Sequence, residues 1–209
     1  MTDIAPPYGL TFQNIPTINL RLEFDATLAF VDSDEASGLL TGPHRKVRTP
    51  MFDWVGMPND LFTVLLQRAI LGVEAYLPSA LSYTLAVLGN TDKTLFEKLR
   101  TPSAFGAKSM AANIYHRMPA AVHPELSLQH LDQELYEETV AFYREIRNPI
   151  FHGKEIASAS IESIRKSFKL IGRIYTWVDY WHDPEKTQQS EIVFGSFTVK
   201  LPKFINRAP

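Results

Sequence analysis

The chain has 209 residues, of which 45 % are hydrophobic and 11 % aromatic, and its net charge is −2. That length and apolar share suit one compact domain with a small appendage and exclude a disordered chain. The near-neutral charge gives no global sign of nucleic-acid binding. With no cysteine, a disulfide framework, a cysteine zinc site and a thiol nucleophile are all excluded, and a cytosolic home is expected.

Met1 to Pro7 lacks a basic segment followed by an apolar one, so no signal peptide is expected. Residues 18–25, INLRLEFD, alternate apolar and polar at every step. This predicts a half-buried strand with Ile18, Leu20, Leu22 and Phe24 on one face, which Thr27 to Val31 continue or return. Asp32 to Pro50 is rich in Gly, Ser, Asp and Pro and reads as loop, with HRKVR (44–48) as a short exposed basic cluster.

From Asn59, a candidate N-cap with Asp60 in the first turn, the period becomes helical. Leu61, Leu65, Ala69 and Val73 recur every four residues. Pro78 is expected to end or kink this helix, Ser79 to Leu88 to resume it, and Gly89 to cap it. The most apolar region, Phe62 to Gly89, contains Arg68, Glu74 and Pro78. Its uncharged remainder is shorter than the ~20 residues of a spanning helix, so it reads as core and not membrane.

Thr91–Arg100 and Ser103–Met118 are further helical candidates, the second weakened by Gly106, and Pro119 to Pro124 reads as a break. Two helices of about 20 residues follow, a length typical of bundles. The first carries Leu128, Leu131, Leu135, Phe142 and Ile146 on one face; the second repeats Ile161, Ile164, Phe168, Ile171, Tyr175 and Val178 at three and four. Trp177, Tyr180 and Trp181 cluster at its end and read as core or dimer contact. EIVFGSFTVKLPKF (191–204) is β-like, with Gly195 as bulge or turn. The expected architecture is mainly α. It comprises an N-terminal β/loop extension (1–58), a helical bundle (59–184) and a C-terminal β extension (185–209), the two terminal segments pairing as a small β element.

Between the two long helices lies REIRNPIFHGK, residues 144–154. Arg147 closes one helix, Asn148 suits an N-cap, Pro149 a first turn, and His152 then falls at a helix start, where free N–H groups favour an anion such as phosphate. Histidine transfers protons near neutral pH, and arginine can hold a phosphate by two parallel hydrogen bonds. These are tools for cleaving RNA without a metal. A base takes the 2′-hydroxyl proton, the oxygen attacks phosphorus, and an acid protonates the leaving 5′-oxygen. One histidine does not readily fill both roles; two copies in a dimer could. Residues 144–173 hold seven basic side chains (Arg144, Arg147, Lys154, Arg165, Lys166, Lys169, Arg173) against three acids, a balance of +4. A looser pair, Arg117 and His123, has Met118 after its arginine and lies in a Pro/Ala segment.

RNPIFHG resembles the R-(N/D/H)-x3-H signature of the HEPN superfamily, higher eukaryotes and prokaryotes nucleotide-binding domains. The resemblance implies a helical bundle, commonly dimeric, and in many members a metal-independent ribonuclease of toxin–antitoxin, abortive-infection or RNA-processing systems. It implies Arg147 and His152 as catalytic residues and Asn148 as an orienting one. It covers Asn59 to Tyr180 at bundle level, and only the seven motif residues specifically. In one toxin branch a tyrosine two places after the histidine is modified by a partner nucleotidyltransferase. Here Lys154 stands there, so that regulation is not expected.

Lys154, Arg144, Arg165, Lys166 and Lys169 are the candidate RNA contacts, with HRKVR beside them. No cofactor and no metal are expected. His116, His123 and His130 recur every seven residues across two prolines and read as surface histidines, and Glu134 and Glu138 as a solvated face. RNA, a second copy and an antitoxin or regulatory protein are the expected partners, in the cytoplasm and away from membranes. The alternative reading is a non-catalytic nucleotide- or RNA-binding bundle using the same basic cleft.

Overall fold

The computed structural model describes residues 15–39, 45–49, 53–56, 58–153, 160–180, 192–194 and 197–199. Lys154, Trp181, Gly195 and the first seven residues lie outside the described residues. The protein is mostly helical, as its sequence predicts.

The expected N-terminal strand is instead a helix, α1 (Ile15–Val31). Arg21 and Asp25 form an ion pair four residues apart at 3.3 Å, and Thr27 Oγ1 donates to the Glu23 carbonyl at 2.7 Å, contacts that only helical winding makes. The alternation misleads because Leu20, Phe24, Leu28 and Val31 also recur at four and three. Of these, Phe24, Leu28 and Val31 are buried. Eight residues were too few to separate the two periods. Residues 15–31 are therefore not part of a β/loop extension: α1 belongs to the bundle.

The segment read as loop contains α2 (Asp34–Leu39) and β1 (Arg45–Arg48), which forms a hairpin with β2 (Asp53–Gly56) beyond it, Lys46 opposite Val55. HRKVR is thus partly strand, with Val47 buried and Lys46 exposed. A second hairpin pairs β3 (Ile192–Phe194) with β4 (Phe197–Val199). Each hairpin is local in sequence, and among the described residues no strand of one pairs with a strand of the other, contrary to the expected pairing of the terminal segments.

The core lies where α1 meets α3 (Pro58–Val87) and α10 (Ile161–Tyr180). The Tyr175 ring lies 4.9 Å from that of Phe24 and 5.1 Å from that of Tyr76, joining the three helices. Helix α3 starts at Pro58, one residue before the expected cap, and stays helical through Pro78. Leu77, Ala80 and Leu81 are fully buried around that proline, so packing holds the turn despite the missing N–H. Gly89 does cap the helix: at φ +74 it lets Asn90 N donate back to the Leu85 carbonyl at 3.1 Å. From Asp60 to Leu85, α3 is long and apolar enough to cross a membrane by length and composition. Leu61, Phe62, Leu65, Leu66 and Ile70 are buried inside this fold.

Helix α4 (Lys93–Leu99) is capped by Asp92, whose Oδ1 accepts from Thr94 and Leu95. The single helix expected at 103–118 is divided. A 3₁₀ turn (Pro102–Phe105) ends at Gly106 with φ +73, and α5 (Met110–Ala112) starts after the Ser109 cap. A π turn (Asn113–Arg117) then runs into α6 (Met118–Val122), so the expected break at Pro119 is helical. After α7 (Leu128–Leu131), Asp132 breaks the chain and caps α8 (Gln133–Phe142). A second π turn (Tyr143–Arg147) leads into α9 (Asn148–Phe151).

Both π turns end on the arginine of an Arg-x-Pro sequence, Arg117-Met118-Pro119 and Arg147-Asn148-Pro149. A proline cannot donate to the carbonyl four residues back, and its ring crowds that oxygen. Each helix relieves this by widening over the preceding turn, with Met118 N bonding to Asn113 O and Asn148 N to Tyr143 O.

Candidate functional site

Helix 133–151 carries the motif. It is held against the bundle by buried Leu135, Thr139, Phe142, Tyr143 and Ile150. The helix does not stop at Arg147. Asn148 is helical (φ −64, ψ −46) and caps nothing. The helix ends at His152, whose N donates to the carbonyls of Asn148 and Pro149 at 3.0 and 3.2 Å, and Gly153 turns away at φ +72. The expectation that His152 sits at a helix start is thereby corrected: the free backbone groups at a helix C-terminus are carbonyls, which offer an anion no cradle. Any anion bound here is held by side chains.

Arg147 is the anchored member of the pair. Its Nε lies 3.1 Å from Glu74 Oε1 and its Nη2 3.2 Å from Oε2, a two-pronged ion pair to α3. Nη1 approaches Asn148 Oδ1 at 3.4 Å. The guanidinium lies over the Phe151 ring at 4.5 Å and the Tyr143 ring at 5.5 Å, its neighbours four residues away on either side. Tyr143 also donates its hydroxyl to Glu74 Oε1 at 2.6 Å, and its oxygen lies 3.0 Å from that of Tyr115. Since Tyr143 donates to Glu74, Tyr115 donates to Tyr143. The chain of donors runs Tyr115, Tyr143, Glu74, with Arg147 at the outer end.

Burial raises the pKa of both tyrosines, and the Glu74 charge raises it further, so both stay protonated. Burial works against the Arg147 charge, but the hydrogen bonds and charge of Glu74 outweigh it and raise its pKa. The Arg147 and Glu74 side chains are 18 % and 15 % exposed. The pair therefore sits at the surface of the core, where removing either partner strands the other's charge.

His152 is exposed. Helical spacing puts it on the face of Asn148, four residues back, and Asn148 in turn touches Arg147. The motif thus supplies a fixed cation, an amide beside it and an accessible imidazole on one helix end.

The other predicted contacts divide. Arg144 is exposed and paired with Glu145 at 2.6 Å. Arg165 is committed to structure: its guanidinium donates to the carbonyls of Val31, Asp32 and Ser33 and to Ser37 Oγ, at 2.9 to 3.2 Å, closing the C-terminus of α1. Lys166 and Lys169 are exposed and line a groove of about 450 Å³ with Glu138, Glu162 and Arg173; Arg165 and Leu170 complete it. Arg173 pairs with Glu138 at 2.8 Å. Neither Arg147 nor His152 lines this groove, so the basic stretch is not drawn into one site with the motif.

The looser pair is also separated from this chemistry: Arg117 donates to the Phe105 carbonyl and His123 accepts from Glu125 N. His116 Nδ1 lies 2.8 Å from Ser127 Oγ, and burial with the nearby Arg117 charge lowers its pKa. Trp177 is buried, near the Tyr115 ring. The sequence reading missed Glu74, Tyr143 and Tyr115. Glu74 carried a usable signal, as the sole acid between Phe62 and Gly89: a carboxylate inside a core helix needs a cationic partner.

No family model matches this chain, nor does any curated protein or solved structure.

Proposed function

We propose that the protein is a metal-independent endoribonuclease of the HEPN type, acting as a homodimer. The observation that carries this reading is Arg147. Glu74 holds it by one edge of its fork while Asn148 and an accessible His152 lie on the same helix end. In the reaction, His152 of one copy takes the 2′-hydroxyl proton and the 2′-oxygen bonds to phosphorus. The P–O5′ bond breaks, and the 5′-oxygen takes a proton from the second copy's histidine. Arg147 neutralises charge on the phosphoryl oxygens as it builds, and Asn148 orients the group. Lys166 and Lys169 give a second contact to the RNA backbone. A cytoplasmic setting, a cognate antitoxin and a role in toxin–antitoxin or phage defence go with this reading.

One observation favours a second reading, a bundle that binds a nucleotide or RNA without cleaving it. The groove that holds Lys166 and Lys169 is lined by neither Arg147 nor His152, so a phosphate backbone bound there need not meet the motif.

Labelled RNA incubated in EDTA with the wild type and with His152→Ala separates the two. Cleavage that leaves 2′,3′-cyclic phosphate ends and disappears in the variant supports the nuclease. Intact RNA with both proteins, each folded and dimeric, supports the binding module.

A further inference from the structure

We infer that Glu74, backed by the Tyr143 hydroxyl, is the positioning residue for Arg147, presenting one edge of the guanidinium to a phosphate. The inference rests on the reading above that Arg147 meets a phosphate, and it adds residues that the motif does not contain.

A guanidinium carries five N–H groups in a rigid planar fork. Glu74 takes the Nε–H and one Nη2–H. By the covalent geometry of the fork, the Nη1–Nη2 edge then faces away from Glu74. Two parallel N–H groups on such an edge match two oxygens of a phosphate. Three restraints fix the direction. The carboxylate cannot swing, because its Oε1 also accepts from Tyr143 at 2.6 Å, and Tyr143 is buried against Tyr115. The guanidinium is confined by the Phe151 and Tyr143 rings. Nη1 is steered by Asn148 Oδ1. An arginine free on the surface would lose rotamer entropy on each encounter with substrate; this one has lost it on folding.

The structural role alone is a competing account, since a half-buried ion pair also ties α3 to helix 133–151. The two accounts differ in what a folded variant does. Glu74→Gln keeps the size and the acceptor for Tyr143 but removes the charge and one prong. Positioning predicts that kcat falls ~100-fold, the cost of a misplaced group, with KM changed by less than about threefold. It also predicts that the Arg147 Nε–H resonance, sharp and shifted by inorganic phosphate in the wild type, broadens and no longer responds. If the variant is folded and cleaves with unchanged kcat, the inference is wrong while the nuclease reading stands. If the wild type cleaves no RNA, the nuclease reading fails, and the phosphate titration decides the inference: a shift in the wild type that is lost in Glu74→Gln supports it, and no shift in the wild type overturns it. Should Glu74→Gln not fold, Tyr143→Phe takes its place. A drop of ~10-fold in kcat with a broadened Arg147 signal supports positioning, and an unchanged kcat and signal refute it.

Discussion

The hydroxyls of Tyr115 and Tyr143 lie 3.0 Å apart, with their rings edge to face at 5.5 Å, and each tyrosine belongs to a helical turn widened ahead of a proline. Two bulged helices thus meet through their bulges. The contact ends on Glu74 and, through it, on Arg147.

This pair makes the fold sensitive to alkali. Both folded pKa values lie above the ordinary tyrosine value of 10.0, because burial and the Glu74 charge oppose ionisation. Above pH 10 the unfolded chain loses these two protons and the folded chain keeps them, so stability is complete below pH 10 and declines above it. The two groups together contribute a slope of about 2.7 kcal/mol per pH unit. Denaturant melts at pH 9, 10 and 11 measure it. Tyr143→Phe should halve the slope, and an equal slope in the variant would assign the effect to other groups.

Arg165 and its lysine neighbours should separate in two assays. Arg165→Ala leaves the last carbonyls of α1 without their donor and should cost about 2 kcal/mol in urea unfolding, with little change in the salt dependence of RNA binding. Replacing Lys166 and Lys169 with alanine should leave stability within about 0.5 kcal/mol. The same change should flatten the log–log salt slope for single-stranded RNA by about 1.4, as two phosphate contacts are lost. A stability loss from the lysine pair, or none from Arg165→Ala, would contradict this division.

Gly153 ends the motif helix at φ +72, with open space around the site of a Cβ. Gly153→Ala therefore meets no clash, and its cost is that of the left-handed backbone, about 1 kcal/mol by thermal melting. RNA cleavage should fall further than stability, because the residue before it is His152. A variant as stable as the wild type would mean that the cap has rearranged.

Arg147→Lys tests the fork itself. A lysine keeps the charge beside Glu74 but cannot hold the carboxylate with two prongs and still offer a second edge. Cleavage should drop by roughly 100-fold while the protein stays folded, measured as kcat/KM on a short RNA. Retention of half or more of the activity would show that charge alone suffices.

The sequence by itself determined the helical class, the core stripes of α3 and α10, the Gly89 cap and the placing of Arg147 and His152 on one short segment. Each of these is a local pattern, repeated over several turns or confined to one. Only the tertiary structure decided the rest. Residues 18–25 fit two periods, and burial of Phe24 and Leu28 against α10 and α3 selected the helix. Asn148-Pro149 fits either a new helix start or a continuation through a turn widened ahead of the proline, and burial of Tyr143 and Ile150 on either side of it selected the continuation, which put His152 at a helix C-terminus. Glu74 is 73 residues from Arg147. No periodicity or spacing links residues that far apart; the carboxylate and the guanidinium come together only because α3 and helix 133–151 share one core.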